Sequence, residues 1–141
     1  MTVFIDTAVL MYANGASHPL RVACRRILSG IGDGRIDAVT SVEVVQEILH
    51  RFTSIRSPEV GIRIARLTLD AFAPVLPITH ATMRRSMDLV ERYPTLSARD
   101  VIHVATCIQE GISEIVTPDR GFDQVVEIRR IDPTAFAPEP A

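Results

Sequence analysis

The sequence contains no lysine; all 15 of its basic residues are arginine. That absence excludes every mechanism built on a catalytic lysine, including haloacid-dehalogenase-like phosphatases and phosphoryl-accepting receiver domains, which also place acids at strand ends. The phosphatases further need Asp-x-Asp after their first strand, where Thr7 and Ala8 follow Asp6 here. Cysteine is scarce as well: Cys24 and Cys107 lie in stretches with helical periodicity and form no CxxC or Cys/His cluster. A zinc site is therefore not expected, and two reduced core thiols are. No apolar run approaches the roughly 18 uninterrupted residues of a membrane span. The first apolar stretch is cut by Asp6 and lacks a basic leader, so it does not read as a signal peptide. These absences imply a soluble, cytoplasmic protein with no membrane association.

A chain of 141 residues, 47% hydrophobic and 23% charged, is sized and composed for one folded domain with a real core. The net charge of -2 means that a polyanionic partner would have to be met by a local arginine patch against the overall sign. Arginine binds phosphate through a planar, bidentate fork, so the composition is compatible with phosphate contacts without arguing for them.

Periodicity divides the chain into alternating elements. Val3-Phe4-Ile5 is a short buried strand delivering Asp6 at its C-terminal end. His18 to Ile31 carries Leu20, Cys24, Ile27, Leu28 and Ile31 at helical spacing. Ile36 to Val39 can form a second strand, and Thr40 with Glu43 three residues on predicts a capping box for a helix to about Phe52. Helices are expected over Pro58 to Phe72, Thr79 to Tyr93 and from Ser97 to about Gly111; strands over Pro74 to Ile78, Glu114 to Thr117 and Glu127 to Ile131. The stretch 133–141, with three prolines, reads as a weakly ordered tail on a domain of residues 1–132. Alternating β and α elements predict an α/β fold, with a mostly parallel central sheet of about five strands and helices on both faces. Ligands in such sheets bind beyond the C-terminal strand ends.

Acids gather at that edge. Asp6 and Asp119 each end a predicted strand, and Asp100 lies in the first turn of a helix, so all three could face one cleft. Two carboxylates about 4 Å apart repel by about 4 kcal/mol at an effective dielectric near 20, so a cluster calls for a cation. Mg²⁺ or Mn²⁺ prefers carboxylate oxygen and could support hydrolysis of a phosphodiester. Each acid also has a structural reading: Asp6 as a helix cap, Asp100 as part of the Ser97 cap, Asp119 as a turn residue, Glu43 as the cap partner. Glu47, flanked by Val44, Val45, Ile48 and Leu49, is either a snorkelling surface residue or a functional acid.

Four stretches taken together resemble PIN-domain nucleases, in particular toxins of the VapC type. They are Val3-Phe4-Ile5-Asp6-Thr7; Thr40-Ser41 through Gln46-Glu47-Ile48; Ser97-Ala98-Arg99-Asp100-Val101-Ile102-His103-Val104-Ala105-Thr106; and Ile115-Val116-Thr117-Pro118-Asp119-Arg120-Gly121-Phe122-Asp123. The Asp-x-x-His-x-Ala segment followed by Thr-x-Asp-x-x-Phe carries most of the specificity. The resemblance implies a PIN-like three-layer sandwich and an endoribonuclease. It assigns Asp6, Glu47, Asp100 and Asp119 to an acidic pocket for one or two Mg²⁺ or Mn²⁺ ions. Thr117 would add a hydroxyl contact to metal-bound water or to an Asp, and Asp123 would be either a fifth acid of the pocket or one that acts from behind its ligands; Pro118 stands where a polar residue is more usual. His103 fits the pattern but, beside Val104 on a helix, reads as a packed, hydrogen-bonded histidine. The resemblance further implies a homodimer that cuts RNA and is inhibited by a small antitoxin, with Pro58 to Phe72 as docking surface. The competing reading is a PIN scaffold that binds RNA or a protein without cutting.

Overall fold

A computed structural model describes residues 1–140. Its centre is a four-stranded, all-parallel sheet in the order β2-β1-β3-β4, with β1 Val3–Ile5, β2 Ala38–Val39, β3 Glu114–Val116 and β4 Arg129–Ile131. Flanking it are α1 Thr7–Asn14, α2 Arg21–Gly32, α3 Val42–Ser54, α4 Pro58–Ala71, α5 His80–Arg92, α6 Ala98–Gln109 and the short α7 Pro133–Phe136, with a 3₁₀ turn over Arg120–Gln124. The inner strands β1 and β3 are buried throughout, as an apolar run covered by helices should be, whereas Arg129 of edge strand β4 is exposed. Phe4, Ile5, Ile115 and Val116 of the sheet meet Val9, Ile48, Val101 and Val104 of the helices in one core. Burying a side chain such as Phe4 contributes about 1.5–3 kcal/mol.

The chain leaves β1 for β2 on one side and returns for β3 on the other. The sheet order therefore reverses between β1 and β3, the place where parallel α/β sheets open a crevice beyond their C-terminal ends. Phe4 pairs with Ile115 and Ile5 with Val116, which brings Asp6 and Thr117 to the same edge.

Sequence and structure differ at several elements. The strand expected over Pro74 to Ile78 is reduced to a single bridge between Leu76 and Ser41, leaving four strands instead of about five. Pro74 and Pro77 carry no N–H and interrupt the ladder, and within the stretch it is Leu76 that pairs, donating to Thr40 O and accepting from Val42 N. Helix α1 was not anticipated, and α2 starts at Arg21, after the predicted His18. The cap of α3 is Ser41, whose hydroxyl accepts from Val44 N; the Thr40 hydroxyl donates instead to Ile5 O, tying α3 to the sheet. Within the stretch 133–141, residues 133–136 form α7: Asp132 caps it by accepting from Thr134 N, Pro133 is buried, and Phe136 packs on the core, while Ala141 lies outside the described residues. Both cysteines are buried free thiols, and burial pushes Cys24 up to about 11. No helix among the described residues is long and apolar enough to cross a membrane.

Candidate active site

Asp6 follows β1 and caps α1. Its Oδ1 accepts the Thr7 N–H at 2.8 Å, and its Oδ2 accepts the Thr117 hydroxyl at 2.7 Å. Capping does not exhaust the carboxylate, because each oxygen keeps a second lone pair. Thr117, fully buried at the end of β3, also receives the Asp119 N–H at 3.1 Å. One hydroxyl thus holds both strand-end acids in register, and the turn closes around Pro118 in place of a polar residue. Asp119 caps the 3₁₀ turn by accepting from Gly121 N at 2.8 Å.

Glu47 lies on α3 between core positions Val44 and Ile48 and turns toward the same edge. Its Oε1 accepts the Thr7 hydroxyl at 2.9 Å and lies 3.0 Å from His103 Nε2. Asp100 enters from the first turn of α6, where its backbone N–H serves the Ser97 cap at 3.1 Å. All four acids line one pocket of about 760 Å³ together with Ala8, Met11, Tyr12, Arg99 and Pro118.

The electrostatics of the pocket are unbalanced. Burial pushes the Asp6 carboxyl above its ordinary range against the attraction of His103 and the Thr117 hydrogen bond, and the charge of Glu47 adds to the rise. Asp100 is pushed up to about 6, first by burial and then by the charges of Asp6 and Asp119. Burial would raise Glu47 too, but the His103 hydrogen bond and charge outweigh it and hold Glu47 below its usual value. For His103, burial alone would lower the pKa; the bond to Glu47 and the charges of Asp6, Glu47 and Asp100 reverse that and raise it. His103 is fully buried, and its Nδ1 has no hydrogen-bond partner among the described residues.

The donor set fits a hard divalent cation: four carboxylates and no sulfur in one pocket. The tightest trio of ligand-type side chains is Asp6, Glu47 and His103, with donor atoms within 4.8 Å of one another. The imidazole in it is hydrogen-bonded to Glu47, so His103 serves the acids as partner, the packed histidine of the sequence with a specific task. Asp100 and Asp119 face the same pocket outside that trio.

Asp123, by contrast, does not line the pocket. It pairs with Arg130 at 2.8 Å, and Arg130 donates to the Thr117 carbonyl at 3.2 Å, so Asp123 acts on the site only through that brace. Glu43 completes no capping box; it faces Arg99 at 3.8 Å, and burial raises its pKa. Thr7 and the α1 side chains Met11 and Tyr12 belong to the site although periodicity did not mark them. The signal was present in Asp6, a good helix cap, followed by Val9, Leu10 and Ala13, the apolar positions that α1 buries.

Comparison with known proteins agrees with this geometry. The PIN domain family model matches residues 3–128. A VapC ribonuclease from Mycobacterium bovis is 35% identical over 129 residues, covering 92% of this chain and 98% of that protein. Among solved structures, a toxin-antitoxin complex from Klebsiella pneumoniae superposes with a TM-score of 0.67 at 16% identity, over 93% of this chain and 97% of that one. The sarcin-ricin-loop-cleaving toxin VapC20 of Mycobacterium tuberculosis gives 0.72 at 17% identity, over 90% and 98%. At those identities the structures speak to the fold alone. The matched span runs from the first strand past the last pocket acid, and with a relative more than one-third identical over almost its whole length, the chain belongs to the PIN-domain family, among the VapC-type ribonucleases.

Proposed function

We infer that this protein is a divalent-metal-dependent endoribonuclease that hydrolyses RNA phosphodiester bonds in the cytoplasm, as the toxin of a toxin-antitoxin pair. The observation that carries the reading is the convergence of Asp6, Glu47, Asp100 and Asp119, from four separate elements, on one pocket at the sheet's switch point. Acids crowded until two of them resist ionisation make poor structural features and a good cation seat. Asp6, Glu47, Asp100 and Asp119 would hold one or two Mg²⁺ or Mn²⁺ ions, which supply charge stabilisation to the phosphodiester and a more acidic water.

The chain's own part is positioning. Thr117 and Thr7 fix the orientation of Asp6 and Glu47 by donating to one oxygen of each, leaving the remaining lone pairs for the pocket. His103 lies between these two acids, 3.0 Å from Glu47 and 3.6 Å from Asp6, and limits their mutual repulsion when the pocket holds only protein. Arg99, the one arginine among the described residues that lines the pocket, would offer its guanidinium to an incoming phosphate backbone.

A small antitoxin and a second copy of the chain are the partners that fit this role. Helix α4 leaves Ile62, Leu67 and Leu69 exposed beside its buried Ile64, Ala65 and Thr68, which supports Pro58–Ala71 as a protein-docking face. The direct test is incubation of purified protein with total RNA in Mg²⁺, Mn²⁺ or EDTA, with Asp100→Asn as control. Cleavage that needs the metal and is lost in the variant is the expected result. Absence of cutting by folded, metal-supplied protein, with RNA still bound, would favour the non-cutting scaffold.

A further inference from the structure

A second groove of about 950 Å³ adjoins the acidic pocket and shares Ala8, Met11, Tyr12, Glu47 and Arg99 with it. Its character is the reverse of the pocket's. Arg51 of α3, Arg63 of α4 and Arg99 of α6 line it, and its one carboxylate is Glu47, at the shared boundary. Among the described residues, neither Arg51 nor Arg63 has an acidic partner; Arg63 reaches only the Asn14 carbonyl, at 3.4 Å. In a chain of net charge -2, exposed guanidiniums from separate helices converging unpaired on one groove are suited to an anionic ligand.

The same groove carries an aromatic stack. The rings of Tyr12 and His18 lie 3.9 Å apart, 8° from parallel, and both line the groove. Tyr12 is held by α1, and His18 Nδ1 accepts the Leu20 N–H at 3.1 Å, which fixes the imidazole in the stack. A rigid π surface beside unpaired guanidiniums matches the two needs of single-stranded nucleic acid, stacking for an unpaired base and charge for its phosphates. A base paired in an A-form helix has no free face to offer it.

We propose that this groove seats the unpaired RNA nucleotides adjoining the scissile bond, with Tyr12 and His18 stacking on a base and Arg51 and Arg63 contacting the phosphates. The proposal rests on the nuclease reading and adds to it the residues that hold the chain beside the cut: a stacked aromatic pair for one base and two guanidiniums for the phosphates. Tyr12, common to groove and pocket, would set the position of the chain between them.

The test uses a fluorescein-labelled single-stranded RNA 12-mer of mixed sequence and its blunt duplex, read by anisotropy against Asp100→Asn protein. Adding Arg51→Gln and Arg63→Gln, both at exposed positions and checked by thermal melting, should weaken binding at least tenfold and lower the log–log salt slope by about 1.4, two single-strand phosphate contacts. Adding His18→Ala should weaken single-strand binding about tenfold with the salt slope unchanged. Tyr12→Leu, checked by thermal melting, should do the same, and the parent should prefer the single strand over the duplex. If wild-type protein cuts total RNA with Mn²⁺ while the groove variants keep the parent's affinity and slope, the proposal is overturned, the nuclease reading stands and the groove is left to a protein ligand. If the parent does not bind RNA and wild-type protein does not cut it, both fall.

Discussion

Replacing Asp100 by Asn should make the metal-free protein more stable while removing its activity. An acid whose folded pKa is raised favours folding below its unfolded value, and that advantage is lost as pH rises through the folded value. For Asp100 the window runs from 3.8 to about 6. At 1.36 kcal/mol per pH unit the ionised form would be disfavoured by about 3 kcal/mol at pH 7, but the side chain remains partly in water, and about 1 kcal/mol is the realistic share. Asn also forfeits the favourable placement of a negative charge in the first turn of α6, about 0.3–0.5 kcal/mol, so the net gain is about 0.5 kcal/mol, or about 2 °C in Tm. Thermal melts in EDTA at pH 7.5 should place the variant above wild type, with the difference shrinking as pH falls from 6 toward 4. Mn²⁺ at a hundredfold excess over its Kd should then add about 2.7 kcal/mol to wild type and less to the variant, inverting the order. A variant that melts below wild type in EDTA at pH 7.5 would refute the reasoning and make Asp100 a structural acid.

Three further outcomes follow from the contacts. Thr117→Val keeps the shape but strips partners from Asp6 Oδ2 and the Asp119 N–H; it should cost about 1–3 kcal/mol in urea unfolding and lower kcat more than tenfold, and unchanged kinetics would mean that the hydroxyl does not position the acids. Asp123→Asn should reduce cleavage less than tenfold, because Asp123 reaches the site only through Arg130; a loss as deep as that of Asp100→Asn would make it a fifth acid of the pocket. Gly61→Ala would bring a Cβ to 2.7 Å from the Phe52 Cβ where α4 crosses α3 and should destabilise by about 1–3 kcal/mol, whereas a neutral effect would show that this contact yields easily.

How much of this was legible in the sequence depended on whether a signal was local. The runs Val3–Ile5, ending at Asp6, and Glu114–Val116, three residues before Asp119, identified the two central strands and the edge on which the site forms. The helices from Val42, Pro58, His80 and Ala98 were marked by caps and periodicity. Helix α1 escaped because its apolar residues follow a strand without an intervening turn signal, so Thr7 and Tyr12 were overlooked with it. Leu76 shows the opposite error, an apolar stretch read as a strand although two prolines interrupt it and only Leu76 forms a bridge. The partners of Asp123 and His103 were out of reach for another reason. An exposed acid on Arg130 and a histidine on Glu47, 56 positions away, are fixed by tertiary packing that no local pattern encodes.

The ambiguity between capping acid and functional acid has a physical root. Asp6 caps α1, Asp119 caps the 3₁₀ turn and Asp100 sits in the first turn of α6, so three of the four pocket acids occupy helix N-termini. Free N–H groups and the positive end of a helix dipole favour a negative charge by about 0.3–1 kcal/mol each, against about 4 kcal/mol of repulsion for a close pair of carboxylates. The helix ends therefore make the cluster tolerable without neutralising it. His103 offsets part of the remainder between Glu47 and Asp6, and the rest appears as the raised pKa values of Asp6 and Asp100. A residual charge of that kind suits the cation proposed for the pocket. Asp6 and Asp119 look like caps in the sequence because they are caps, and their capping is one reason the fold tolerates acids so close together before any cation is bound.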